Sequence, residues 1–170
     1  MLKFVYITEK GEKNVMRLIL SSYLITERTI IVEPYRDEKL GRYITRVIEV
    51  DKEFLVNQSP LFIINRSCRK HGVKMEQMKR HAQQLQPKQR KMTYVISTKK
   101  KIIMFPTCSV SNIKDCYYIA TKHISRLIPH QGGTKIKFKN GYSIDVKSSI
   151  ESINRMRHKS FALYGYCTSF

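Results

Sequence analysis

One short segment near the end of the chain does most to limit the fold. Residues 134–147 read TKIKFKNGYSIDVK, and Asn140 and Gly141 at the centre both accept the positive φ that a two-residue turn requires. Apolar and polar side chains alternate on each side of that turn, as in two half-buried strands. The segment therefore predicts a β-hairpin and with it an antiparallel sheet. Lysines take the alternate positions of the first strand, which makes one of its faces cationic: Lys135, Lys137 and Lys139.

Other short segments rich in β-branched residues predict further strands. Before residue 58 these strands are 23–26, 29–34, 43–50 and 53–56, with Pro34 ending the second of them. Two more are predicted at 92–98 and 101–106. Residues 115–128 are expected to form a strand and then a short helix, which residues 129–133 break. Residues 1–22 are interpreted as an N-terminal extension or a first hairpin, and residues 23–165 as a single domain.

A segment with its own start and stop signals, PLFIINRSCRKHG, spans residues 60–72. Ser59 can cap a helix, Pro60 suits its first position, and Gly72 can close it. Apolar residues at spacings of three and four form one face, while cations lie largely on the other side: Arg66, Arg69 and Lys70. An ordinary amphipathic helix with a solvated basic side explains the same pattern, so the pattern alone leaves both readings open.

Two further helices complete the predicted fold. Residues 74–85 are strong helix formers that Pro87 stops, and Ser148 with Glu151 has the spacing of a capping box that opens a last helix through about Arg157. The chain is therefore predicted to be an α+β protein, a single strand-rich domain with antiparallel sheet or sheets and about three helices.

The charge of the chain favours an anionic partner. Its 170 residues carry 32 Lys and Arg against 13 Asp and Glu, a net charge of +19. Residues 1–60 are nearly neutral, whereas the run from Arg66 to Lys101 contains a single acid, Glu76. Because a solvated surface normally mixes both signs, such a run indicates nucleic acid or an anionic membrane surface. No apolar run approaches the roughly 20 residues that cross a bilayer, so membrane insertion is not expected.

Catalysis, metals and cofactors find little support in the sequence. Cys68 and His71 have C-x-x-H spacing, but the remaining Cys and His spacings match no structural zinc site. The acid-x-Lys pattern at Asp145 resembles restriction-type nuclease sites, yet few further carboxylates follow residue 60 to hold Mg²⁺. No nucleotide-binding fingerprint or nucleophile elbow is present. We therefore expect no enzyme, no metal and no cofactor, and with no CxxC pairs we expect reduced thiols in a cytosol.

The order of several motifs resembles the competence transcription factor (ComK) family of low-GC Gram-positive bacteria. The resembling motifs are PLFIINRSCRKHG, IIMFPT at 102–107, IKFKNG at 136–141 and the helix start at 149–153. The matching positions are Arg66, Ser67, Cys68, Arg69, Gly72, Pro106, Thr107, Cys116, Asn140 and Gly141. The chain departs from the family after Gly72, where a Gly-Arg-containing loop is replaced by KMEQMKRHAQQ.

The resemblance implies a cytoplasmic, nucleoid-associated activator of competence (DNA uptake) genes that binds double-stranded DNA. Such a protein is expected to recognise paired AT-rich boxes through the minor groove as a homo-oligomer, and RNA polymerase and a proteolytic adaptor are compatible further partners. The candidate DNA-binding residues are Arg66, Arg69, Lys70, Lys74, Lys79, Arg80, Lys99, Lys100 and Lys101. Three lysines at a turn are also an ordinary device for solubility. The alternative is a basic RNA-binding or nucleoid protein without sequence preference, which the charge fits equally well.

Overall fold

Two β-sheets and three α-helices make up the part of the chain that the computed structural model describes, namely residues 3–7, 15–88, 91–108 and 113–169. The helices are α1 (Pro60–Lys70), α2 (Met75–Leu85) and α3 (Ile150–Thr168). The strands are β1 (Lys3–Ile7), β2 (Val15–Leu20), β3 (Thr29–Asp37), β4 (Arg42–Glu49), β5 (Glu53–Val56), β6 (Tyr94–Ser97), β7 (Ile102–Pro106), β8 (Tyr118–Ala120), β9 (Ile124–His130), β10 (Gly133–Phe138) and β11 (Ser143–Val146). These elements confirm the predicted α+β fold.

The larger sheet has eight strands in the order β1-β2-β5-β4-β3-β8-β7-β6, and the smaller has three in the order β11-β10-β9. Neighbouring strands pair antiparallel except β2 and β5, which run parallel through Ile19 opposite Leu55 and Leu20 opposite Val56. The N-terminal strands β1 and β2 pair antiparallel with each other, while the joining residues 8–14 lie outside the described part. The predicted domain boundary at residue 23 stays a prediction.

The larger sheet lies between two layers. Since alternate side chains of a strand point to opposite faces, neighbours such as Val32 and Ile31 enter different cores. Val32 packs in a core with the buried faces of α1 and α2, where Ile64 and Met78 are at most 1% exposed. Ile31 packs in a second core with the smaller sheet and the first half of α3. The helices α1 and α2 therefore cover one face of the larger sheet, and the smaller sheet covers the opposite face.

The predicted hairpin is confirmed, but the predicted two-residue turn is wrong. Asn140 does not take a positive φ, and the amide of Phe138 donates to the carbonyl of Tyr142 at 2.9 Å, so three residues, 139–141, connect the strands. The amide of Gly141 donates to the carbonyl of Phe138 at 3.0 Å, as in a type I turn followed by a glycine of positive φ. Gly141 has φ of +91°, the Asn140 side chain accepts a hydrogen bond from the amide of Tyr142 at 3.1 Å, and Lys137 pairs with Ser143 across the two strands. Ile136 and Phe138 point into the second core and are at most 2% exposed. The lysines between them take the outer face, because successive side chains alternate along the strand.

Several predicted strand boundaries are wrong, and each for a visible reason. Residues 23–26 are not a strand, because the amide of Ile25 donates instead to the Ser67 side chain at 2.9 Å. Pro34 lies inside β3, at a position beyond the short pairing of β3 with β8, where the missing N–H is not needed. Pro129 likewise lies inside β9, which is an edge strand of the smaller sheet. The helix expected after β8 is only a 3₁₀ turn, Thr121–His123.

The helices follow the predictions in number but not in all their bounds. The side chain of Ser149, rather than that of Ser148, caps α3 by accepting a hydrogen bond from the amide of Ser152 at 3.2 Å. The helix α3 continues past Arg157 to Thr168. Its second half is held by tertiary contacts, because Leu163 is 2% exposed in the first core and the Tyr164 hydroxyl donates to the carbonyl of Thr98 at 3.1 Å.

Candidate nucleic-acid interface

The orientation of α1 is fixed by its buried side. Ser59 caps the helix by accepting a hydrogen bond from the amide of Phe62 at 3.3 Å, and Pro60 takes the first helical position. On the buried side, the Ser67 hydroxyl donates to the carbonyl of Ile63 at 2.7 Å and accepts from the amide of Ile25 at 2.9 Å. This bridge to the chain before β3 prevents rotation of α1. The opposite side, with Arg66, Arg69 and Lys70, is exposed to solvent.

The loop after α1 brings α2 beside it. Gly72 has φ of +75°, a conformation that glycine adopts without strain, and the amide of Val73 returns to the carbonyl of Cys68 at 2.9 Å. The helix α2 is then anchored by Met78, whose sulfur lies 3.1 Å from the amide nitrogen of Val95. Because Met78 is the buried residue of α2, the polar remainder of that helix faces outward.

Three of the predicted cations line one groove between the two helices. Arg69 of α1, Lys74 of the loop that precedes α2 and Lys79 of α2 border a space of about 510 Å³, together with Asn65, Gly72, Val73 and Met75. Arg80 lies on another side of α2, where it borders a separate groove of about 430 Å³ with His81 and Tyr166. The structure thus brings the groove cations together and separates Arg80 from them.

The three lysines at 99–101 lie in the turn between β6 and β7. The turn is closed by a hydrogen bond from the amide of Lys100 to the Ser97 hydroxyl at 3.1 Å, and Lys101 has φ of +53°. Thr98, at the start of the turn, lines a cleft of about 180 Å³ together with Lys74. The lysine turn is therefore near the loop between α1 and α2, at one end of the same surface.

All nine predicted cations are exposed, and among the described residues none of them forms an ion pair. The acids that do form ion pairs are engaged elsewhere: Arg28 with Asp51, Arg36 with Glu38, Arg46 with Glu33, Lys52 with Glu49, and both His130 and Lys135 with Asp145. We call the six exposed cations of α1, α2 and the loop between them the helix face: Arg66, Arg69, Lys70, Lys74, Lys79 and Arg80. Its charge is directed at solvent.

Phe62 is a candidate contact that the sequence analysis did not single out. Its side chain is 53% exposed on α1, although large apolar side chains normally avoid water. It precedes Arg66 by four residues and Arg69 by seven, so all three share one side of the helix. This spacing is visible in the sequence, but an apolar residue type gives no local signal of exposure.

The cysteine and histidine with metal-type spacing serve packing. Cys68 is fully buried, its sulfur lies 3.8 Å from the carbonyl oxygen of Val95, and burial raises the pKa of its thiol to about 12. A ring nitrogen of His71 lies 3.4 Å from the carbonyl oxygen of Ile25. Within the described ranges no group of three or more His, Cys, Asp or Glu side chains is placed to hold a metal ion. Asp145, the acid of the nuclease-like pattern, lies 2.8 Å from the Lys135 ammonium group.

The helices of the described residues include none with the length and apolar character that crossing a membrane requires.

Comparison with known proteins gives two matches of different kinds. Residues 20–167 match a family model described as ComK protein. A curated relative, the competence transcription factor of Bacillus subtilis (strain 168), is 28% identical over 142 residues, which cover 83% of this chain and 72% of the relative. No solved structure matches the chain significantly.

Proposed function

This chain belongs to the ComK protein family, and from that membership we propose that it regulates the transcription of competence genes by binding double-stranded DNA. The observation that carries the DNA partner is the set of nine exposed cations, unpaired among the described residues, on α1, α2, the loop between them and the β6–β7 turn. When such a surface binds phosphates, it releases the counterions that are condensed on the DNA. This release supplies most of the affinity of a basic protein for DNA.

Arg66 and Arg69 are the residues proposed to read the DNA. They lie one turn apart on the exposed side of α1, and a narrow A-tract minor groove has an enhanced negative potential that attracts inserted arginines. Phe62 lies on the same side and is proposed to supply an apolar wedge between base steps, as in many proteins that read the minor groove. The three side chains together would recognise AT-rich boxes by shape.

The lysines of the helix face, Arg80 and the lysine turn are proposed to contact phosphates. Such contacts fix the position of the protein on the duplex without reading its sequence. Lys74 and Lys79 border the same groove between α1 and α2 as Arg69. They can therefore hold the phosphate backbone of the DNA beside the AT-rich box that Arg69 enters. The lysine turn extends the contact at the end of the surface nearest Lys74.

Paired boxes call for more than one copy of this surface. We propose that the chain acts as a homo-oligomer in which each copy presents its own Arg66 and Arg69 to one box. RNA polymerase and a proteolytic adaptor are proposed further partners of an activator of this family, and a DNA partner places the protein at the nucleoid of the cytoplasm.

Replacement of A·T pairs by inosine·cytosine pairs tests groove choice. An I·C pair shows the minor groove the same acceptors as A·T, without the guanine amino group, but it presents the major-groove pattern of G·C. We expect A/T boxes rebuilt with I·C to retain most of their affinity and G·C boxes to lose it. A loss that is equal for I·C and G·C would contradict reading through the minor groove.

The second candidate function is binding of RNA or DNA without sequence preference. The exposed cations of the smaller sheet favour it, because they lie away from α1 and α2 and add charge that no box-reading residue requires. Equal affinities for A/T, I·C and G·C duplexes would support this candidate.

A further inference from the structure

The smaller sheet carries a second group of exposed cations. Arg126 of β9 lies directly opposite Lys137 of β10, and residues directly opposite in an antiparallel pair share one face. Ile136 and Phe138 point into the protein, so this shared face is the outer one, and both cations are exposed. Lys122 and Lys139 are exposed as well, and the amide of Lys139 donates to the carbonyl of His123 at 2.9 Å. We call these four residues the sheet face: Lys122, Arg126, Lys137 and Lys139.

The charges of the sheet face are not neutralised by the described carboxylates. Asp145 of β11 lies on this outer face, but it is held by Lys135 at 2.8 Å and has His130 at 3.8 Å. The cations of the sheet face form no ion pair among the described residues. Burial lowers the pKa of the His123 imidazole, and the nearby positive charges of Lys122 and Lys139 lower it further, as expected where cations lie close together.

One ordinary role of cations on a sheet, the protection of its edge, does not explain this arrangement. Cations on an edge strand prevent sheets from joining, and Arg126 on the edge strand β9 can serve that purpose. Lys137, however, lies on the central strand β10, whose two sides are both paired. Like charges directly opposite each other destabilise a sheet, so the Arg126–Lys137 pair costs stability unless an anion lies over it.

The sheet face and the helix face lie on opposite sides of the molecule. The helices α1 and α2 cover one face of the larger sheet and the smaller sheet covers the other, each layer being about 10 Å from the next. A straight duplex that lies on the helix face cannot touch the sheet face. DNA has a persistence length of about 150 base pairs, so wrapping one short site around the protein costs several kcal/mol.

We infer that the sheet face binds the phosphate backbone of a second DNA duplex segment, so that one protein bridges two segments. This inference rests on the proposed function in taking duplex DNA as the partner. The sheet face has no exposed large apolar side chain and no paired arginines on one helix, so it contacts phosphates without reading sequence. The helix face selects the site, and the sheet face holds whichever duplex segment lies near.

Duplex capture tests the inference with the full chain. A mixed-sequence duplex is fixed to a bead, protein is added, and retention of a second, fluorescent duplex is measured at about 0.15 M salt. Each phosphate contact contributes roughly a factor of five at this salt, so Arg126→Gln with Lys137→Gln should reduce capture about twenty-five-fold. The matched control is Arg28→Gln with Lys52→Gln, an equal loss of charge at cations already held by Asp51 and Glu49. The control should capture like the native protein.

A charge-preserving variant, Arg126→Lys with Lys137→Arg, should restore capture and so separates charge from folding. Equal capture by the two glutamine variants, or native protein that captures no second duplex, overturns the inference. If two protein molecules, each holding one duplex, associated with each other instead, capture would not depend on Arg126 and Lys137. That result would also overturn the inference. Failure of the proposed function appears separately, as a lack of preference for A/T duplexes when a single duplex is titrated.

Discussion

Removing the three cations of the groove between α1 and α2 should change how DNA affinity depends on salt. The variant carries Arg69→Gln, Lys74→Gln and Lys79→Gln, all at exposed positions, none of which is ion-paired within the described chain. Glutamine keeps much of the length and polarity of these side chains. Since none of the three is buried, the free energy of unfolding should change by less than about 0.5 kcal/mol.

The expected magnitude follows from the number of phosphate contacts. If all nine predicted cations neutralise phosphates, the logarithm of the association constant falls with the logarithm of salt concentration with a slope of about −8. Affinity then drops about 10⁵-fold between roughly 50 and 200 mM salt. Removal of three contacts makes the slope shallower by about 2.7, so the drop over the same range becomes about 10³-fold.

Fluorescence anisotropy on an A/T duplex across a salt series measures this slope. The control variant carries Arg28→Gln, Arg36→Gln and Lys52→Gln, which removes the same charge from cations that lie 2.7, 3.8 and 3.9 Å from their carboxylate partners. Its slope should match that of the native protein. Equal slopes for the groove variant and the control would refute the assignment of the groove to DNA, because net charge alone would then govern affinity.

Three substitutions test other parts of the structure. Phe62→Ala should leave the melting temperature unchanged and weaken A/T binding about tenfold, as loss of a base contact worth about 1–3 kcal/mol does, whereas unchanged affinity would remove Phe62 from the site. Ser67→Ala leaves the buried amide of Ile25 without its partner and should cost about 1–3 kcal/mol in urea unfolding, and no loss would contradict that role. Arg46→Met leaves the Glu33 carboxylate buried without its cation and should cost about 3 kcal/mol at pH 7. Burial already raises the pKa of Glu33, and loss of Arg46 raises it further. The folded variant therefore takes up a proton more readily than the unfolded chain, so its loss of stability relative to the native protein should shrink as pH falls from 7 toward 5. A loss of stability that does not change with pH would argue against this cause.

Elements with complete local signals could be predicted from the sequence. The start of α1 is specified by Ser59 and Pro60, and the loop that follows it by Gly72, all within one short segment. The hairpin is specified in a similar way, because Gly141 supplies the positive φ that its turn needs, but the sequence predicted a two-residue turn where the structure has three residues.

Elements that depend on distant contacts could not be predicted. The second half of α3 contains Gly165 and several aromatic residues, which are weak helix formers, and it is helical because Leu163 and Tyr164 pack against strands far away in the sequence. The parallel pairing of β2 with β5 and the stacking of the smaller sheet on the larger one have no local signal either. The intrinsic propensities of residues indicate which helices and strands form, but they say less about how those elements pack together.

The candidate site shows the same division. Charge and spacing in the sequence identify which side of α1 is exposed, so Arg66, Arg69 and Lys70 could be singled out before the structure was known. That Arg69 shares a groove with Lys74 and Lys79, and that Arg80 does not, depends on how α2 packs beside α1. Phe62 is exposed because the hydrogen bond between Ser67 and the amide of Ile25 fixes which side of α1 faces the core.

The central claim, that this protein of the ComK family selects AT-rich DNA, is tested most directly by anisotropy titrations on two duplexes of equal length. One duplex contains two separated A/T runs and the other is GC-rich, and both are measured across the same salt series. We expect tighter binding to the A/T duplex, with a preference that persists as salt rises, because shape recognition by arginines adds to the common electrostatic attraction. Equal affinities that fall together as salt rises would contradict the claim and leave a basic protein without sequence preference.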